Sequence, residues 1–250
     1  MGLVWEDSAE RFIRASILPI DGWINPDAAF VIALCLQYQV ELGETGDIIE
    51  IGVWQGKLLS LLYKYINSDE RAYGVDCFAG LSPEQAQNRS RVVSENVASS
   101  CGDASRLQMI AMRSDQVSLD HFVNKFKVVS IDGGNDFESR FFDLRRCSRN
   151  LSSNGFIILN GVFNRFNPDS TEALFAFLHS PEGADFSVVA DCNNKTIIVR
   201  KIAHAGFYNF LKQRIDSKSR PLYVRTSEKL ESFGTYYRPH IARLPIIPFA

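Results

Sequence analysis

The sequence predicts an α/β fold: a mostly parallel sheet with helices on both faces and a C-terminal antiparallel hairpin. Three observations predict it. Asp47-Ile48-Ile49-Glu50-Ile51-Gly52-Val53-Trp54-Gln55-Gly56-Lys57 is a short apolar run ending in two glycines, and Leu58 to Ile66 follows it with apolar residues at helical spacing. From residue 48 to residue 160 strand-like and helix-like stretches alternate, which implies right-handed βαβ units and a sheet covered on both faces. Phe186 to Ala190 and Thr196 to Val199, separated by Asp191-Cys192-Asn193-Asn194, read as a terminal hairpin.

In chain order, Ala9 to Leu18 reads as a helix ended by the turn Pro19-Ile20-Asp21-Gly22-Trp23. Asn25 as N-cap, Pro26 at the first helical position and Asp27 in the first turn start a second helix that runs to about Leu42 and stops at Gly43 to Gly46. Ile48 to Val53 is a strand, Leu58 to Ile66 a helix, Arg71 to Phe78 a strand and Pro83 to Val97 a helix. Leu107 to Met112, Val128 to Asp132 and Phe156 to Asn160 are three further strands, with helices at Asp115 to Lys125 and Asp136 to Asn150. After the hairpin, Ala203 to Ile215 reads as a helix. The apolar end Leu244-Pro245-Ile246-Ile247-Pro248-Phe249-Ala250 is expected to tuck against the domain or to meet another subunit.

With 250 residues, 46% hydrophobic and 22% charged, the chain can bury one substantial core. Its 27 basic against 29 acidic residues, net charge -2, supply no overall basic field for nucleic acid or an anionic membrane, so a small-molecule partner is expected. Five widely spaced cysteines without a CxxC pair argue against a disulfide framework or a zinc site and fit a cytoplasmic protein. No stretch approaches the ~20 apolar residues of a membrane span, and the acidic start does not resemble a signal peptide. His121, His179, His204 and His240 lie apart without ligand spacing.

In a sheet of this kind ligands bind beyond the carboxyl ends of the strands. Those ends carry Glu50-Ile51-Gly52, Gly74-Val75-Asp76, Arg113-Ser114-Asp115, Asp132-Gly133-Gly134-Asn135 and Asn160-Gly161. Asp76 stands where a carboxylate can accept hydrogen bonds from the hydroxyls of an adenosine ribose. A dinucleotide site wants GxGxxG to bring a helix N-terminus to a pyrophosphate. Here the run is Glu50-x-Gly52-x-x-x-Gly56, so that phosphate signature is missing.

Glu50-x-Gly52-x-x-x-Gly56 with a downstream Asp76 resembles the cofactor site of class I S-adenosylmethionine-dependent methyltransferases. Ile131-Asp132-Gly133-Gly134 with Glu138 and Asp143-Leu144, Leu151-Ser152-Ser153-Asn154-Gly155-Phe156, Val162-Phe163-Asn164, Asn194-Lys195, Gly22-Trp23, and Glu50-Ile51-Gly52-Val53 with Gly56-Lys57 resemble a bacterial branch containing O-methyltransferases of sugars and secondary metabolites. The likeness covers roughly residues 20 to 210.

The resemblance implies a Rossmann-like class I methyltransferase sheet with S-adenosylmethionine as cofactor. It implies that Gly52, with Trp54, Gln55 and Gly56, passes under the methionine part, with Glu50 beside the loop, that Asp76 holds the ribose with Cys77 or Phe78 against the adenine, and that Ser114 and Asp115 lie near the adenine edge. It also places Asp132 at the reacting methyl and the substrate. Asp132 and Asp136 are the candidate bases, while Asp136 and Glu138 also suit the start of a helix. Asn135, Asn160, Phe163 and Asn164 are the candidate substrate contacts. Family members commonly carry His at the position of Asn135 and paired aspartates where this chain has Asn160-Gly161. A lone carboxylate with an amide is a poor cage for magnesium, so no metal ligand set is expected.

The expected organisation is a helical cap over residues 1–46, a methyltransferase core over 47–202, and a helix and tail over 203–250 that pack on the core or on a partner. A homo-oligomer is compatible with the apolar tail. The expected activity is O-methylation of a small sugar-like or secondary-metabolite acceptor. The alternatives are a protein that binds S-adenosylmethionine or S-adenosylhomocysteine with a degenerate acceptor site and, against the missing GxGxxG, an NAD-dependent oxidoreductase.

Overall fold

The computed structural model describes residues 8–118, 122, 124–216, 240–241, 244–245 and 247–249. Strands β1 (Asp47–Ile51), β2 (Ala72–Val75), β3 (Leu107–Ile110), β4 (Phe126–Ile131), β5 (Leu151–Asn160), β6 (Phe186–Cys192), β7 (Lys195–Arg200) and β10 (Ile247–Phe249) form one sheet in the order β10-β6-β7-β5-β4-β1-β2-β3. The short pair β8 (His240–Ile241) and β9 (Leu244–Pro245) stands apart from it. The strands from β3 across to β5 are parallel, and β7 is antiparallel to both β5 and β6. The expected hairpin is therefore present. The apolar end adds a strand of its own, β10, parallel to β6 from Ile247↔Ala190 to Phe249↔Cys192.

The helices are α1 (residues 8–17), α2 (Pro26–Leu42), α3 (Lys57–Tyr63), α4 (Pro83–Cys101), α5 (Phe137–Arg149), α6 (Pro168–His179) and α7 (Lys201–Asp216). The second half of α1, Ile13–Ile17, is a π-helical turn. Local chemistry sets the helix starts. The Asn25 side chain accepts from the Ala28 amide at 2.8 Å ahead of Pro26, and Ser82 with Gln85 forms a reciprocal capping box. Each such cap contributes about 1 kcal/mol. Gly43 and Gly102, both left-handed, end α2 and α4.

Side-chain alternation along the strands builds two apolar layers. Ile48, Val128, Phe156 and Ile158 face α1 to α4 and α7, whereas Ile49, Ile51, Val129, Ile157 and Leu159 face α5 and α6. Helix α2 is apolar nearly all round because α7 covers its outer side, with Tyr38 packed 4.9 Å from both Phe207 and Phe210. A buried pair, Lys127 and Glu70, braces the opposite end of the sheet from the glycine turn.

Several expected elements have other bounds. β1 stops at Ile51 rather than Val53 because Gly52 turns to φ +84°, and β2 stops at Val75 because Asp76 bends back onto that turn. The helix expected over Asp115 to Lys125 is, among the described residues, only the 3-10 turn Ser114–Gln116; residues 119–121 and 123 lie outside them. Helix α6 has no counterpart in the sequence reading, although Asn167-Pro168-Asp169 repeats the start signal of Asn25-Pro26-Asp27. Of the expected tail, residues 217–239 lie outside the described residues. No helix among the described residues is long and apolar enough to cross a membrane.

Candidate functional site

The ends of β1, β2 and β4 converge on the turn Gly52–Gly56, the Gly52 amide donating to Val75 and the Asp132 amide to Ile51. Gly52 is indispensable there: a Cβ at this position would lie 2.3 Å from the carbonyl oxygen of Asp132, and its φ is left-handed. β1 and β4 are thus locked edge to edge where their side chains Glu50 and Asp132 emerge. Trp54 takes φ +50°, unusual for a bulky residue, and stays partly exposed under the Arg89 guanidinium, 5.0 Å from its ring.

Asp76 holds this turn in place. One carboxylate oxygen accepts from the amides of Val53 at 3.0 Å and Trp54 at 3.2 Å, and the other from the amide of Phe78 at 2.8 Å. The carboxylate expected at the ribose thus also braces the loop. Cys77 is exposed beside it, whereas Phe78 is 6% exposed and belongs to the core, so of the two only Cys77 lies open at the surface.

Glu50 is buried, and its Oε2 has no hydrogen-bond partner. Burial pushes its carboxyl well above the ordinary carboxylate range; the Lys195 ammonium opposes this, while Asp132 and Asp76 add to it. The oxygen borders a small cavity, about 40 Å³, that Gly52, Trp54, Asp132 and Lys195 also line. The turn Asp21-Gly22-Trp23 closes the outer side. Asp21 Oδ2 accepts from both Trp54 and Gln55 side chains, Trp23 packs 5.4 Å from Trp54, and Lys57 Nζ donates to the carbonyls of Leu18 and Gly22.

Beyond Asp132 the site becomes a field of amides. Asp132 Oδ2 accepts from Lys195 Nζ at 2.8 Å, with the lysine side chain 2% exposed. Asn160 Oδ1 accepts from Asn194 Nδ2 at 2.9 Å. Asn135 Oδ1 accepts from Arg140 Nη2 at 2.9 Å and Asn167 Nδ2 at 3.4 Å. Arg140 is fully buried and also donates to the carbonyls of Ile131 and Asn160, so it ties α5 to the ends of β4 and β5. Asn135, Asn160, Asn164, Asn167, Asn194 and Phe166 border an open cleft of about 420 Å³. Phe163, next to Asn164 in sequence, takes φ +58° and is half exposed; its ring lies 6.4 Å from that of Phe175 and its amide donates to Thr171 Oγ1.

The other expected residues lie as follows. Asp136 caps α5 by accepting from the Ser139 amide at 2.9 Å, and that bond holds its carboxyl below the ordinary range, which makes it a poor base. Ser114 donates to Asp143, whose carboxyl burial pushes up to about 6, while Asp115 accepts two bonds from the exposed Arg113. Sequence reasoning assigned no role to Asp21, Lys57, Arg140, Asn167 or Lys195. Of these, Lys57 and Lys195 stand in the motifs Gly56-Lys57 and Asn194-Lys195 that carry the resemblance.

A family model described as a methyltransferase domain matches residues 49–162. Among solved structures the chain is similar to the O-methyltransferase NovP, with 15% identity and a TM-score of 0.62 over 79% of this chain and 98% of that one. It is also similar to the O-methyltransferase TomG from Streptomyces achromogenes, solved with S-adenosylmethionine, at 13% identity and a TM-score of 0.54 over 78% and 88% of the two chains. A third likeness is to a TDP-rhamnose 3'-O-methyltransferase of calicheamicin biosynthesis, at 16% identity and a TM-score of 0.50 over 68% and 78%. No curated protein matches the chain in sequence. At such identities the likeness is one of fold, and it agrees with the strand order and the glycine turn. Residues 49–162 thus match a methyltransferase domain, and they sit within the class I methyltransferase fold.

Proposed function

We propose that the chain is an S-adenosylmethionine-dependent O-methyltransferase of small, polyhydroxylated acceptors. The observation that carries this reading is the pairing of Glu50, buried with an unpartnered oxygen, and Asp132 on the cavity under the glycine turn, with an asparagine-lined cleft at the end of the neighbouring strand β5. The fit to the cofactor rests on the chain's own atoms. Glu50 Oε2 is an acceptor awaiting a cationic donor such as the ammonium of a methionine group, and Gly52 leaves backbone bare where a side chain would intrude. Asp76, Cys77, Ser114 and Asp115 lie on the side of β2 and the 3-10 turn, where the nucleoside part would extend.

When bound, the sulfonium cofactor would supply an electrophilic methyl with its own leaving group, and what the chain itself has to provide is a base for the proton of the acceptor hydroxyl. Asp132 is that base in this reading. Its Oδ2 is held by Lys195, and Oδ1 has no hydrogen-bond partner among the described residues. Asn135, Asn160, Asn164 and Asn167 offer both donors and acceptors, which suits neighbouring hydroxyls, and the exposed Phe166 offers an apolar face beside them. The sugar methyltransferase among the similar structures supports the same acceptor class. Residues 47–202 then form the catalytic unit, with residues 1–46 as its cover. As a protein in a reducing cytoplasm it would keep its five cysteines as thiols.

Calorimetric titration with S-adenosylmethionine, S-adenosylhomocysteine and NAD tests the cofactor, and no heat with either sulfur compound sinks this reading. A binding protein with a degenerate acceptor site is the competing reading, favoured by Asn135 and Asn160 standing where acidic or basic groups would be expected. Transfer of labelled methyl from the cofactor to a set of nucleotide sugars and glycosides separates the two.

A further inference from the structure

The branch that the sequence resembles uses a divalent metal at the position of Asp132 and the residues after β5, and the donors present here do not fit one. Magnesium asks for carboxylates and near-octahedral oxygen. Asp132 Oδ2 already faces an ammonium at 2.8 Å, Asn160 Oδ1 already accepts from Asn194, and Asn135 Oδ1 already accepts from the Arg140 guanidinium. Among the described residues no group of three His, Cys, Asp or Glu could hold a metal ion. A positive charge is nevertheless built into the place. Lys195 is the first residue of β7, and because β7 runs against β5, its start pairs with the end of β5, Lys195↔Asn160. The ammonium is therefore delivered to the carboxyl edge of the sheet from a buried stem.

We propose that the Lys195 ammonium holds the cation position of the acceptor site, fixing Asp132 and supplying from the chain itself the positive charge that steadies an acceptor oxygen as its proton leaves to Asp132. The proposal rests on the methyltransferase reading of the site. A mobile ion would have to be bound at every turnover. A lysine buried against its carboxylate is already in place, and its charge is little screened by solvent.

The test titrates the full chain with Mn²⁺, followed by electron paramagnetic resonance. The wild type is expected to bind Mn²⁺ no better than Asp132→Ala. Lys195→Glu, which sets two carboxylates near Asn160, is expected to bind it on the order of tenfold more tightly or better. A reversed charge at a buried position can prevent folding, so Lys195→Gln serves as the second variant; removing the ammonium is expected to raise Mn²⁺ affinity by roughly severalfold. Equal Mn²⁺ affinity in the wild type and the folded Lys195 variants overturns the proposal, as does wild-type binding that Asp132→Ala abolishes. With an acceptor in hand, Lys195→Gln should lower kcat at an unchanged KM for the cofactor, and Lys195→Arg should recover most of it; an unaltered kcat in Lys195→Gln also overturns the proposal. Titration of the wild type with S-adenosylhomocysteine keeps the two levels apart. Failure there removes the methyltransferase reading, whereas binding there with unaltered Mn²⁺ affinity removes the role of Lys195 alone.

Discussion

Asp21 Oδ2 accepts hydrogen bonds from Trp54 Nε1 at 3.1 Å and from Gln55 Nε2 at 3.0 Å, so one carboxylate of the N-terminal turn ties itself to two side chains of the glycine loop. The cavity behind this tie, about 40 Å³, is far below the ~300–1,000 Å³ of a ligand pocket. Entry of a cofactor-sized molecule requires the tie to open. Asp21→Ala should speed dissociation of S-adenosylhomocysteine by roughly thirtyfold, since two bonds worth about 1 kcal/mol each are lost. Stopped-flow tryptophan fluorescence reads this directly through Trp54 and Trp23, and an unaltered rate would show that the turn does not cover the site.

Asp76→Ala should weaken both the cofactor site and the fold. Three backbone amides, those of Val53, Trp54 and Phe78, lose their acceptor. Because the site is partly open to water, the loss is about 1–3 kcal/mol in urea unfolding. A carboxylate that served the ribose alone would leave unfolding unchanged while affinity fell, so the two measurements together separate bracing from ligand binding.

Arg140→Met should cost about 3 kcal/mol or more. The guanidinium is fully buried and satisfies two strand-end carbonyls and Asn135, all of which lose a donor in an apolar replacement. Urea denaturation checks the figure. A cost below about 1 kcal/mol would mean that water replaces the guanidinium freely.

Glu50→Gln should change the pH dependence of stability in one direction. Burial raises the folded carboxyl above its ordinary 4.5, so the folded protein binds a proton that the unfolded chain has already released. The wild type is then matched to the variant below about pH 4.5 and loses stability relative to it as pH rises toward the folded value. Thermal melts at pH 4 and pH 7 measure the difference, and a gap that stays constant between them would contradict the burial argument.

The parts of the fold that were legible share one property: their signal is local. The Asn25-Pro26-Asp27 start, the glycine turn and the alternation of β1, β4 and β5 each depend on neighbours within a few positions. α6 was equally local and carried the same start signal, yet the aromatic run Phe163-Asn164-Arg165-Phe166 before it reads as loop and masks the onset. The strand β10 depends on pairing with β6 across a long intervening stretch, which no periodicity encodes.

At the site the types of residue were legible and their partners were not. Asp136 and Asp132 are alike in sequence, each following a strand. Only the fold shows that one caps α5 while the other faces a buried lysine. Arg140 sits among Arg145, Arg146 and Arg149 on one helix, and its difference from them is its inward face beneath β4 and β5. Asp76 was placed at the correct strand end. Its three amide partners follow from a positive φ at Trp54 and Phe78, values a sequence does not announce.

The hairpin between β6 and β7 turns in two residues, Asn193 and Asn194, with Asn193 left-handed and Cys192 paired to Lys195. Lys195 is the first residue after the turn and is paired on both sides, with Cys192 across the hairpin and with Asn160 of β5, so the turn brings the ammonium stem directly to the strand end. The place of the buried charge beside the glycine turn's cavity is therefore set by two strand pairings as much as by the identity of the lysine.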